Sequence, residues 1–93
     1  MIVYRDGEFL KDKEASLPIL DIGFLRGFGG FEFLRTYRGK LFHFTEHINR
    51  LKNTLDQLEI AISLDQNSME KIIKTLMKQN HLDEAFIKII VTG

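Results

Sequence analysis

Phe31-Glu32-Phe33-Leu34-Arg35-Thr36-Tyr37, then Arg38-Gly39, then Lys40-Leu41-Phe42-His43-Phe44, is the stretch whose reading decides the fold. Its first seven residues alternate. Phe31, Phe33, Arg35 and Tyr37 fall on one side of a strand, and Glu32, Leu34 and Thr36 on the other. Arg38-Gly39 reads as a turn, and Lys40 to Phe44 as the returning partner strand. From Thr45 the period becomes helical. Thr45 is the expected N-cap, Ile48, Leu51, Leu55 and Leu58 share one face, and His47, Arg50 and Thr54 form a polar stripe beside it.

Upstream, Asp6-Gly7 separates Ile2–Arg5 from Glu8–Leu10 and predicts a first hairpin, because both turn residues tolerate positive φ. Lys11 to Glu14 reads as a charged surface connection, and Ser16 to Leu20, with Pro18, as extended chain. Asp21 to Gly30 carries four of the seven glycines among Phe24, Leu25, Arg26 and Phe28, which predicts irregular backbone packed closely against something. Downstream, Glu59 to Asn67 reads as a loop. Met69, Ile72, Ile73, Leu76 and Met77 then mark a second amphipathic helix that stops at Asn80-His81. Ala85 to Val91, apolar except for Lys88, is expected as a strand buried inside a sheet. The order predicts an α+β domain: two β-hairpins and a final strand forming a sheet, with both helices on one face.

Composition narrows the function classes. Ninety-three residues make one small domain, spanning 1–93, and no cysteine is present to staple it by disulfides or cysteine-ligated zinc. Thirteen basic residues balance thirteen acidic ones, which removes the electrostatic case for a nucleic-acid partner. No apolar run approaches the roughly 20 residues that span a bilayer, and the first residues lack a signal pattern, so a cytoplasmic location with no membrane partner is expected. Among chemical motifs, Gly-x-Ser-x-Gly is absent, and His43, His47 and His81 lack metal-ligand spacing. The glycines at 23–30 precede a hairpin rather than a helix, unlike a dinucleotide fingerprint, and no Gly-Lys-Ser/Thr follows them.

Three features remain. Arg50 lies early in its helix beside His47; a guanidinium binds phosphate in a forked, charge-assisted way, although most such arginines are simply solvated. Arg35 alternates with Phe31, Phe33 and Tyr37, the pattern of an edge arginine or of a carboxylate-binding residue in a partly closed pocket. The glycine-aromatic segment is either a tight structural turn or a functional loop. Residue chemistry alone stops at a small α+β module with an anion site.

The run from Asp21 to Phe42, with its Gly27, Gly29-Gly30 and Phe31-Glu32, followed by Glu46-His47-Ile48-Asn49-Arg50-Leu51, resembles the N-terminal domain of the class IV (fold type IV) pyridoxal-phosphate enzymes. That family includes branched-chain and D-amino-acid aminotransferases and aminodeoxychorismate lyases. The resemblance covers essentially the whole chain. It implies pyridoxal 5'-phosphate as cofactor, with Arg50 gripping the phosphate, Phe31 and Arg35 lining the substrate pocket, and no metal. It implies a homodimeric aminotransferase that moves an amino group from an amino acid to a 2-oxo acid. The alternatives are pyruvate elimination by a lyase, or a non-catalytic interaction domain. It also implies that the catalytic Schiff-base lysine belongs to a C-terminal domain outside this chain: none of the lysines here occupies a matching position. The end at Val91-Thr92-Gly93, straight off a strand, likewise reads as the leading piece of a longer enzyme. Two departures stand out. Ile22 replaces the usual Arg, and Gly30 replaces a commoner Val or Ile, which is expected to loosen the start of the strand.

Overall fold

The computed structural model describes residues 1–63 and 65–93. The Asp6-Gly7 turn, with both residues at positive φ, joins β1 (Ile2–Arg5) to β2 (Glu8–Lys11) in register. This hairpin forms its own two-stranded sheet rather than joining the main one. A 3-10 turn at Asp12–Glu14 follows. The segment expected to run extended instead turns after Pro18, whose carbonyl accepts the Asp21 N–H at 3.0 Å.

The glycine-rich segment is more regular than its composition predicts. Ile22–Arg26 forms a short helix, α1. Asp21 caps it by accepting the Phe24 N–H at 3.0 Å, and Gly27 closes it at φ 67°, where a side chain would be strained. Asp21 also accepts the Thr92 hydroxyl at 2.9 Å, which ties α1 to the far end of the chain.

β3 (Gly29–Tyr37) begins two residues earlier than the alternation predicts and shows the expected two faces. Its partner β4 is only Lys40–Leu41, not a strand to Phe44. Phe44 is drawn into the core and opens α2 (Phe44–Gln57), so the N-cap is His43 rather than Thr45. Thr45 accepts instead from the Gln66 amide. After the connection, Asp65 caps α3 (Gln66–Gln79) by accepting the Ser68 N–H at 3.1 Å, starting this helix inside the segment expected to be loop. At its end, Asn80 accepts the Ile2 N–H at 2.7 Å and donates to the Ile2 carbonyl at 2.8 Å, holding the first strand to the helix.

β5 (Phe86–Thr92) pairs antiparallel with β3 from Gly29↔Thr92 to Arg35↔Phe86, giving the order β4-β3-β5 among the described residues. It is therefore an edge strand whose side chains alternate between covered and bare, not a strand buried on both sides. A run of apolar residues cannot by itself distinguish the two arrangements. Helices α2 and α3 cover one face of this sheet, where Leu34, Phe44, Ile48 and Ile73 form the core with Met69, Met77, Ile87 and Ile89 packed around them. Gly30 is buried against α2: a Cβ there would lie 3.2 Å from atoms of Leu51, Thr54 and Leu55. The missing side chain leaves the room that the helix occupies at this point.

Candidate functional site

The inward face of β3 carries a charge. Glu32 is 4% exposed, and an ionised carboxylate that far from water requires partners. It has two, both supplied by α2. Arg50 Nε donates to Oε2 at 2.8 Å and Nη2 to Oε1 at 2.7 Å, a forked charge-assisted pair. His47 Nδ1 lies 2.7 Å from Oε1. The carboxylate accepts only, so His47 carries its proton on Nδ1, and the 3.5 Å approach of Arg50 Nη2 to that nitrogen is proximity and not a bond. The spacing of His47 and Arg50, three residues apart, puts both on one side of the helix and above the same strand position. The Arg50 guanidinium, and next the hydrogen bond from His47, hold the Glu32 carboxyl below its ordinary value of 4.5, against the opposing pull of burial. Glu32 in turn raises the Arg50 pKa, keeping that side chain charged.

Arg50 itself is not enclosed. Its side chain is 68% exposed, and with Nε–H and one Nη2 N–H engaged, both Nη1 N–H groups and the second on Nη2 remain to bind an anion. Sequence reasoning found Arg50 and placed His47 beside it in a polar stripe without giving it a role; it gave Glu32 none either. A carboxylate at an inward position of an alternating strand was the available signal, since such a group needs a cation.

The other candidates lie across the sheet. Phe31 and Arg35 are exposed on the face opposite the helices, with Phe33 and Tyr37. β5 adds Phe86, Lys88 and Ile90 to the same face. Phe33 and Phe86 stack with ring centres 5.6 Å apart, and Lys88 Nζ stands 5.5 Å from the Phe31 ring centre. Lys88, which the sequence reading took only as an interruption in a buried strand, is thus a second cation in an aromatic field. Arg50 and Phe31 are consequently on opposite sides of β3. β4 covers the outer edge of β3 only at Thr36 and Tyr37. An open groove of about 550 Å³ between α1, the α2–α3 connection and the end of β5 contains none of these residues. No cluster of three or more metal-ligating side chains occurs among the described residues.

An α+β domain with an anchored, outward-facing arginine on one side of a strand and a cationic aromatic face on the other is the class of site that the geometry defines. Residues 29–93 match the family described as Amino-transferase class IV, and the chain belongs to that family. It is 36% identical over 99% of its length to a Methanocaldococcus jannaschii protein described provisionally as a branched-chain-amino-acid aminotransferase, covering 32% of that protein. It is 30% identical over 97% of its length to the D-alanine aminotransferase of Staphylococcus haemolyticus, again covering 32%. It is 32% identical over 89% of its length to the aminodeoxychorismate lyase of Bacillus subtilis, covering 28%. The chain thus spans about a third of the length of these relatives. In fold it resembles a branched-chain amino acid aminotransferase solved in complex with N-(5'-phosphopyridoxyl)-L-glutamate, with TM-score 0.87 at 23% identity over 98% of this chain and 32% of that one. The branched-chain enzyme of Escherichia coli matches with TM-score 0.84 at 20% identity, over 94% and 31%.

Proposed function

We propose that these residues are the N-terminal small domain of a pyridoxal-phosphate-dependent aminotransferase, which moves an amino group from an amino acid to a 2-oxo acid. The observation that carries the reading is the Arg50 guanidinium, fixed by a buried carboxylate through Nε and Nη2 while its remaining donors face out. That donor set fits a phosphate: it is permanently charged, forked and accessible. The bare face across the strand fits an amino-acid substrate. Phe31, Phe33 and Phe86 supply apolar surface, and Arg35 and Lys88 supply cations for carboxylates. When bound, the cofactor supplies an electron sink for charge developing at the substrate Cα. This chain's residues hold the phosphate and line the pocket; the lysine that takes the cofactor covalently belongs to a C-terminal domain in this reading.

The exposed aromatic face also supports assembly with that domain and with a second subunit as a homodimer. No helix among the described residues is long and apolar enough to cross a membrane. A second reading, pyruvate elimination from aminodeoxychorismate, is favoured by the Bacillus subtilis relative. The test is transfer of an amino group to 2-oxo acids by the full-length protein supplied with pyridoxal phosphate. Amino acid formed with consumption of an amino donor is expected. Pyruvate release from aminodeoxychorismate without amino transfer selects the lyase, and neither activity in a protein that binds the cofactor overturns both.

A further inference from the structure

The geometry points to Glu32 as a positioning residue that dictates which edge of the Arg50 guanidinium can meet an anion. This inference rests on the reading of Arg50 as the phosphate grip.

Three observations carry it. First, Glu32 is rooted in the sheet. It sits on the inward face of β3 with Ile89 opposite it in the register, and it is almost wholly buried. Arg50 is a long side chain standing mainly in solvent. Where a rigid group meets a flexible one, the rigid group sets the geometry. Second, the carboxylate takes the side edge of the guanidinium, Nε with Nη2, and leaves the end edge, Nη1 with Nη2. A planar fork has only these edges to offer in a bidentate way. A phosphate therefore meets the end edge and is held away from Glu32, although a like charge sits across the same guanidinium. Third, His47 donates to Oε1, the oxygen that also receives Nη2, so the carboxylate is braced from the same helix and keeps its orientation. Free, Arg50 would have to surrender its rotamer freedom each time an anion bound; anchored, it has already done so.

The role carries a cost that makes it separable from simple structural support. Removing the Glu32 charge should favour a phosphate electrostatically and disfavour it by releasing the arginine. Only the second effect depends on a guanidinium being present.

The experiment titrates inorganic phosphate into the protein and follows the arginine side-chain N–H resonances by NMR. In the unmutated protein, the Arg50 Nη resonances are expected to move while Nε–H keeps its position. A comparable Nε–H shift would show phosphate displacing the carboxylate and would overturn the inference without any substitution. Glu32→Gln presents an amide N–H₂ to the guanidinium and is expected to weaken phosphate binding about three- to tenfold, the range for freezing one long side chain. In an Arg50→Lys background, where no fork remains to be oriented, Glu32→Gln is expected to leave phosphate binding unchanged or stronger. Equal weakening in both backgrounds would reduce Glu32 to a structural support. If Arg50→Ala binds phosphate as well as the unmutated protein, the reading of Arg50 as the grip itself fails, a result distinct from the others.

Discussion

The two faces of the β3–β5 pair are built from the same strands by the same alternation and reach opposite ends. One face is sealed under α2 and α3, with Leu34 and Ile48 against each other in the core and its single carboxylate given two partners. The other leaves Phe86 70% and Ile90 62% exposed, with Phe31 and Phe33 beside them. Each face carries aliphatic or aromatic bulk, so apolar content does not separate them. What separates them is that the helical segment following the hairpin returns over one side only. The difference teaches that the sealed face supplies the stability of this domain, whereas the bare one leaves its apolar side chains open to solvent.

Substitutions can break that contrast at either face. The largest effect is expected in the sealed layer. Ile48 has no exposed surface, and Ile48→Ala should cost about 2–5 kcal/mol of unfolding free energy, through lost burial and the cavity left behind. Denaturant titration measures it, and a loss no larger than that of a surface substitution would undo the assignment of the core. On the bare face, Phe86→Ser removes the stack on Phe33 and should cost only about 0.5–1.5 kcal/mol. It should also raise the concentration at which the chain self-associates in light scattering. If solubility stays unchanged and stability collapses, the face is less bare than described.

The smallest effect sharpens the contrast by pH. Glu32 has a folded-state pKa below its ordinary 4.5, so its contribution to stability is fully present above that value. It is lost as the pH falls from about 4.5 through the lower, folded pKa. The change should be modest because Arg50 is open to solvent screening. A Glu32→Gln protein should show a flatter decline of melting temperature across that acid window; equal slopes would remove Glu32 from the acid response.

Much of this is legible in the sequence. The alternation of residues 31–37 gave both faces of β3, and the helical spacing of Ile48, Leu51 and Leu55 gave the buried side of α2. The resemblance carried by residues 21–51 agreed with the family match and the fold. Failures have specific causes. α1 has five residues, too few for a period to show, and one of them, Gly23, as well as its C-cap, Gly27, is a glycine. Its signature was the pair of ends, Asp21 able to cap and Gly27 able to turn left-handed. β4 was cut short because burying Phe44 outweighed continuing a strand. β5 looked central because the length of an apolar run does not report which of its sides has a neighbour. At the site, Arg50 was visible as a residue but not as a geometry. Its orientation comes from Glu32, eighteen positions earlier, and no local pattern links the two.

The clasp between Asn80 and Ile2 has a consequence for the order of folding. One amide takes both backbone groups of a residue 78 positions away. Closing so long a loop is entropically costly until other contacts have brought its ends together. The hairpin Ile2–Lys11 can form from neighbouring residues alone, whereas its seat on α3 exists only once that helix is complete. The hairpin's seat is thus expected to be among the last contacts secured, with α3 acting as the latch that holds Ile2.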